Sequence, residues 1–205
     1  MFRPTVQRLV AACLFLPFVA QTQSVMAQSV MAQSVTDQDL MEKAVAHHPG
    51  ADQWSIYGNG QAHNLVKDAG VPGGYAFTVN VTSAGGNPWD VESGVVNDTP
   101  IHKGDVILMA FWARAVTPPP GADTINIVAR AQQVTAPYTE IGTANLTISS
   151  AWKLYYATGT ATMDYDKGQA GAGLQLATAQ QTIALGPVFM LDFGPGYDLA
   201  KLPKN

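Results

Sequence analysis

The sequence predicts an all-β protein, a jelly-roll β-sandwich with a short N-terminal helix that follows a signal peptide. Three observations support this fold class. From Trp54 onward the chain consists of short β-rich runs broken by glycine, proline, asparagine and aspartate. About ten such runs follow one another at nearly regular spacing, as in sandwiches and barrels. No sustained helical period occurs after Ala46.

The N-terminus has the features of a secretory leader. Arg3 and Arg8 precede an apolar run at residues 9–20, and no acid occurs among them. This run is too short to anchor the protein in a bilayer, so it predicts a signal peptide at residues 1–27. The pentad Gln-Ser-Val-Met-Ala is duplicated, which leaves a second cleavage site after Ala32 open. We therefore expect an exported protein, periplasmic or secreted.

The charge and cysteine content narrow the function classes. The formal net charge is −4, and loss of the basic leader makes the mature chain more acidic. This balance argues against nucleic acid as a partner and against binding to or insertion into a membrane. The only cysteine, Cys13, lies in the leader. The mature chain is thus expected to lack disulfides, thiolate metal sites and a cysteine nucleophile.

The expected elements follow in order along the chain. Residues 28–50 are predicted to hold a low-complexity tail and a short helix at 36–46, with Thr36 as N-cap and Asp39 as the capping-box acid. Residues 51–205 are predicted to form the sandwich. Its expected strands lie at residues 53–57, 63–67, 75–82, 94–96, 105–115, 124–133, 144–148, 153–162, 173–177, 182–185 and 188–193.

Side-chain alternation assigns two faces to the central strands. The strand at 105–115 has one wholly apolar face, and Trp112 and Arg114 lie at the end of its other face. The strand at 124–133 likewise has an apolar face, with Arg130 and Gln132 opposite. If the two strands share a sheet, these polar faces form a single surface. The residues expected in the core are Ile107, Met109, Phe111, Ala113, Ile125, Ile127, Ala129, Ala131, Tyr75, Phe77, Val79, Val81, Trp152, Leu154 and Tyr156.

Residues 51–195 resemble the jelly-roll carbohydrate-binding modules of xylanases and cellulases, in the group of families four, nine and twenty-two, which have a galactose-binding-like fold. The landmarks that carry the resemblance keep the same order. They are Pro-Gly-Gly-Tyr at 72–75, Asn-Pro-Trp-Asp at 87–90, Lys-Gly-Asp at 103–105 followed by Trp112 and Arg114, Trp-Lys at 152–153, and a closing strand with Asp192.

The resemblance implies non-catalytic binding of a poly- or oligosaccharide, with a polysaccharide-degrading enzyme as a further partner. By matching position, Trp89 and Tyr138 would stack on sugar rings, and Glu140, Gln132 and Arg114 would contact hydroxyl groups. Trp112 and Arg130 join these candidates through the face argument alone. The list of candidate sugar-binding residues is therefore Trp89, Trp112, Arg114, Arg130, Gln132, Tyr138 and Glu140.

The resemblance also implies a structural Ca²⁺ with Asp192 as a ligand. Calcium takes about six to eight oxygens, and the other ligands are not assigned by the sequence. A buried acid held by backbone donors is the alternative reading of Asp192.

Other readings of the candidate site stay open at this stage. Trp112 could be a packing residue, and Arg114 and Arg130 could pair with Glu140 or Asp90 in a structural network. One alternative function is a structural or protein-binding envelope sandwich that has lost sugar binding. A second is a small glycan-active hydrolase, although the sequence contains no catalytic motif such as Gly-x-Ser-x-Gly or His-Glu-x-x-His.

Overall fold

The computed structural model describes residues 43–48 and 50–205. The predicted signal peptide, the tail and residues 36–42 of the predicted helix lie outside this range. The end of that helix is wrong, because Ala44–His48 forms a β-strand (β1) that pairs antiparallel with the last strand of the fold. Its backbone hydrogen bonds are made with a neighbouring strand, which outweighs the weak helical pattern of the sequence.

The described residues form an all-β jelly-roll sandwich, which confirms the predicted fold class. After β1 the strands are β2 (Ser55–Gly58), β3 (Gln61–Lys67), β4 (Tyr75–Val81), β5 (Val91–Val96), β6 (Asp105–Thr117), β7 (Ile125–Gln133), β8 (Glu140–Ile148), β9 (Lys153–Thr160), β10 (Ala170–Gln175) and β11 (Gln181–Pro195). Three short 3-10 turns cover Ala51–Gln53, Pro88–Asp90 and Leu199–Lys201.

The strands divide into two antiparallel sheets. Sheet A has the order β2-β5-β10-β7-β8, and sheet B has the order β9-β6-β11-β4-β3, with β1 beside β11. The two sheets join at a single pairing between Gly142 of β8 and Gly159 of β9. A Cβ on either glycine would overlap the backbone of the other strand, so the glycines permit this close approach.

The core lies between the inner faces of the two sheets. The predicted apolar faces of β6 and β7 are confirmed, since all eight of their side chains from Ile107 to Ala113 and from Ile125 to Ala131 are buried. Trp54 packs edge-to-face on Phe111 with ring centroids 6.5 Å apart, and its indole N–H donates to the carbonyl of Gly186 at 2.8 Å. This buried hydrogen bond fixes Trp54 against β11. Two separate strands are expected from the sequence here, at residues 182–185 and 188–193, but the structure has one continuous strand.

Two predicted core faces require correction. On β9 the buried face is that of Tyr155 and Ala157, whereas Leu154 and Tyr156, and Trp152 just before the strand, are only partly buried, on the outer side of sheet B. On β4 Val79 and Val81 are buried as expected, but Tyr75, the first residue of the strand, is 42% exposed. The presence of aromatic residues on one face of a strand is therefore not enough to assign that face to the core.

The outer face of sheet B is covered by the chain itself. Leu202, from the C-terminal segment, packs on Val106, Leu108 and Leu191. The amide of Asn205 both accepts from the backbone N–H of Tyr156 at 2.8 Å and donates to its carbonyl at 2.9 Å, as a paired strand residue would. The outer face of sheet A has no such cover among the described residues, and a large cleft lies on it. The described residues include no helix long and apolar enough to cross a membrane.

Candidate functional site

A cleft of about 980 Å³ lies on the outer face of sheet A. Its floor is formed by β5, β10 and β7, whose outward positions follow the two-residue period of strands. Gly94 of β5 pairs with Gly173 of β10, which in turn pairs with Arg130 of β7. Two residues earlier in β10, on the same face, Gly171 pairs with Val96 of β5 and with Gln132 of β7. Glycines thus occupy the centre of the floor, where larger side chains would fill the cleft.

Three exposed aromatic rings surround this floor. Tyr57 of β2, Trp89 in the turn before β5, and Tyr138 in the loop before β8 are 50%, 54% and 53% exposed, and all three line the cleft. Most proteins bury rings of this size, so a group of them around a cleft indicates a binding surface.

The turn that carries Trp89 is fixed by its neighbours. The Asp90 carboxylate accepts the backbone N–H of Asn87 at 2.9 Å, and the Asn87 side chain completes a reciprocal cap of the 3-10 turn Pro88–Asp90. Asp90 is therefore engaged within its own turn, and the arginines Arg114 and Arg130 pair with Asp68 and Glu140 instead. The turn is also bonded to the core, because the backbone N–H of the buried Ala177 donates to the Pro88 carbonyl at 2.9 Å, and Trp89 itself is left exposed.

Tyr138 is held in an unusual backbone conformation. Its φ is 57°, in the left-handed region that large residues rarely adopt. Its N–H donates to the carbonyl of Thr135 at 2.8 Å, which closes a tight turn before β8. Such conformations cost on the order of 1–3 kcal/mol and are frequent at binding sites. The turn brings the ring of Tyr138 over the cleft.

Polar side chains lie on the floor between the rings. Glu92 and Gln132 are only 8% and 9% exposed, and the Gln132 carbonyl oxygen has no hydrogen-bond partner within the described protein. Arg130 pairs with Glu140 at 3.3 Å between Nη2 and Oε2. Gln175 is also buried and lines the same floor. Such groups can donate to and accept from the hydroxyls of a ligand.

Glu92 interacts with the hydroxyl of Tyr57. Burial raises the pKa of Glu92, while the Tyr57 hydroxyl and the Arg130 guanidinium act in the opposite direction. Burial and the adjacent Glu92 carboxylate also raise the pKa of Tyr57. Both groups therefore favour their neutral forms more than they would in water.

The structure brings together five of the seven candidates predicted from sequence. Trp89, Arg130, Gln132 and Tyr138 line the cleft, and Glu140 reaches its edge through Arg130. The sequence analysis missed Tyr57, Glu92, Gln175 and the glycine floor. The floor could have been recognised from two alternating patterns, Glu-x-Gly-x-Val at 92–96 and Gly-x-Gly-x-Gln at 171–175, which place polar residues and glycines on one face of a strand.

The expected single surface that also held Trp112 and Arg114 is wrong, because β6 lies in sheet B and β7 in sheet A. The outer faces of the two strands therefore point to opposite sides of the sandwich. Trp112 packs with Trp152 against Val71 and Ala76, as its alternative reading expected. Arg114 donates to Asp68 at 3.2 Å and lies 5.4 Å from the ring centroid of Trp152. These contacts attach the loop before β4 to sheet B.

Asp192 lies near the end of β11, away from the cleft, beside the buried Asp105. Burial raises the pKa of Asp192, and the Asp105 carboxylate raises it further. Each acid also accepts a backbone N–H, Asp192 from Gly194 at 2.7 Å and Asp105 from His102 at 2.6 Å. Two adjacent carboxylates suit a hard cation, but no cluster of three ligating side chains exists among residues 43–48 and 50–205. Water and backbone oxygens would have to complete a calcium site.

We propose that calcium binds at Asp192 and Asp105. Thermal unfolding with and without calcium tests this proposal. Calcium at a hundred times its dissociation constant would stabilise the fold by about 2.7 kcal/mol. Addition of CaCl₂ should raise Tm, a chelator should reverse the rise, and Asp192→Asn should abolish it. An unchanged Tm at millimolar calcium would leave Asp192 as a buried acid held by backbone donors.

The buried Glu92 generates a prediction for stability. A carboxyl group with a raised pKa in the folded state stabilises the fold only while it is protonated, so this contribution is lost as the pH rises through that pKa. Glu92→Gln should therefore raise Tm at pH 8 relative to the natural protein, and the difference should shrink towards pH 4. A variant less stable than the natural protein at pH 8 would contradict this account.

Comparisons with known proteins identify the fold. No family model and no curated protein matches the sequence. Among solved structures, a family 4 carbohydrate-binding module matches with a TM-score of 0.52 and 20% identity, over 70% of this chain and 96% of that chain.

Two family 22 modules also match this chain. The first belongs to Clostridium thermocellum xylanase 10B, solved with its catalytic module and xylohexaose, and has a TM-score of 0.52 and 13% identity over 73% of this chain and 29% of that longer chain. The second is the xylan-binding module of Paenibacillus barcinonensis Xyn10C, with a TM-score of 0.50 and 11% identity over 75% of this chain and 96% of that chain. The chain thus has the fold of the carbohydrate-binding modules of families 4 and 22.

Proposed function

We propose that this chain is an exported, non-catalytic protein that binds a poly- or oligosaccharide in the sheet A cleft. The observation that carries the proposal is the group of three exposed rings, Tyr57, Trp89 and Tyr138, around one polar floor. A sugar ring offers C–H groups to an aromatic face, while its hydroxyls pair with amide, carboxylate and guanidinium groups. The cleft offers both kinds of contact within one surface.

The floor of the cleft is suited to a ligand made of several linked sugars. Gly94 and Gly173 leave room for the Tyr57 hydroxyl and the Glu92 carboxyl group at the centre of the cleft, and the side-chain carbonyl of Gln132 is buried and unpaired on the same floor. A buried polar atom without a partner is costly, so a ligand hydroxyl that donates to it would gain affinity. The fold neighbours that bind xylan or xylohexaose make xylan the first ligand to test.

The acids of the cleft favour binding over catalysis. Glycoside hydrolases commonly use two opposed carboxyl groups, one as acid and one as base or nucleophile. Among the described residues that line the cleft, Glu92 is the one carboxylic acid. Glu140, at the edge, is ion-paired to Arg130. The fold neighbour that is joined to the catalytic module of a xylanase supports the further proposal that a polysaccharide-degrading enzyme is a separate partner of this chain.

Trp89→Ala tests the proposal by affinity electrophoresis in gels that contain soluble arabinoxylan or mixed-linkage β-glucan. Removal of an exposed stacking ring should weaken retention at least tenfold, about 1.4 kcal/mol. Tm should remain within about 2 °C, since surface substitutions usually change stability by less than about 0.5 kcal/mol.

Tyr75→Ala is the matched control, because Tyr75 is an exposed ring on sheet B, outside the cleft. It should leave retention unchanged. Equal retention of the natural protein and Trp89→Ala would remove the stacking role, and absence of retention on every glycan tested would favour the structural or protein-binding alternative.

A further inference from the structure

The position of Glu92 depends on a glycine in the neighbouring strand. Glu92 pairs with Gln175 in the ladder between β5 and β10, but its side chain leans towards Gly173, two residues away. A Cβ at Gly173 would overlap Oε1 of Glu92. The missing side chain therefore allows the Glu92 carboxyl group to lie across the middle of the floor, where it is 8% exposed.

The charges around Glu92 are unbalanced. Arg130 is its nearest cation, and the guanidinium of Arg130 is already paired with Glu140 at 3.3 Å. His48 is the other basic residue that lines the cleft, and its Nε2 lies 4.0 Å from Asp98. Each basic group of the cleft thus already has an acid beside it. A further carboxylate brought by a ligand would therefore have to share a basic group that already has an acid within 4.0 Å, although Nε2 of His48 makes no hydrogen bond.

We propose that Glu92 sets the selectivity of the cleft, so that it accepts uncharged glycans and excludes those that carry uronic acids. This inference rests on the proposed glycan-binding function. A glycan hydroxyl can donate to the Glu92 carboxylate, whereas a glycan carboxylate would be repelled by it. Because the site is largely shielded from water, the repulsion is screened less than it would be on an open surface. Discrimination through a repulsive group is a common source of specificity.

The titration of Glu92 is consistent with this role. Burial raises its pKa, and a second carboxylate in the cleft would raise it further, so the binding of a uronate would be linked to uptake of a proton. Its affinity should then fall as the pH rises, while that of a neutral glycan should fall less. The ionisable groups that face Glu92 are Tyr57 and Arg130, with Glu140, Tyr138 and His48 beyond them.

The test compares two pairs of polymers by affinity electrophoresis at pH 8. One pair is mixed-linkage β-glucan and the same polymer oxidised to carboxylates at C6, and the other is arabinoxylan and glucuronoxylan. The natural protein should bind the neutral member of at least one pair tenfold or more tightly than the acidic member. Glu92→Gln should reduce this ratio to threefold or less. Asp123→Asn, an equal charge change at an exposed residue outside the cleft, should keep the ratio of the natural protein.

Each outcome has a distinct meaning. Equal or tighter binding of the acidic polymers by the natural protein overturns the selectivity proposal and leaves glycan binding in place. An unchanged ratio in Glu92→Gln also overturns it. Absence of binding to all four polymers overturns both proposals. If Glu92→Gln does not fold, the ratio is measured for the natural protein from pH 4.5 to 8, where a ratio that does not rise with pH overturns the role of Glu92.

Discussion

The alternation of side chains along sheet A is the constraint on which the site depends. β5, β10 and β7 each send one set of side chains to the core and the other to the cleft, and no register shift interrupts the pairing of β5 with β10. Glycine at positions 94, 171 and 173 removes the side chains from the centre of the outer set. The floor therefore has room in its middle for polar groups that reach over from neighbouring positions, and exposed rings line the same cleft.

Glycine has a second effect, since it decides where neighbouring side chains can lie. Gly173 leaves room for the Glu92 carboxyl group, and Tyr57 reaches towards Gly94 with its hydroxyl. These two polar groups meet above the floor, where burial favours their neutral forms. The opposite sheet shows the contrast, because Leu202 and the loop that carries Val71 cover its outer face. The same chain thus closes one face of the sandwich and leaves the other available.

The sequence predicted the fold class, the buried faces of β6 and β7, and two of the three exposed rings that line the cleft. Trp89 and Tyr138 could be identified because large rings in loops have few structural reasons to be there. The assignment of strands to sheets could not be predicted, since alternation gives each strand two faces but does not say which strands are neighbours. Trp112 was therefore placed with Gln132, although they lie on opposite sides. Glu92 was missed because its role depends on Gly173, a residue 81 positions away, paired only in the folded sheet.

The four tryptophans offer a direct test of where a glycan binds. Their indole N–H signals in a ¹H–¹⁵N correlation spectrum report the core (Trp54), the cleft (Trp89) and the outer face of sheet B (Trp112 and Trp152). In a titration with xylohexaose and with cellohexaose, the account predicts that at least one of the sugars shifts the Trp89 signal and leaves those of Trp112 and Trp152 in place. Shifts of the Trp112 and Trp152 signals with Trp89 unchanged would contradict it.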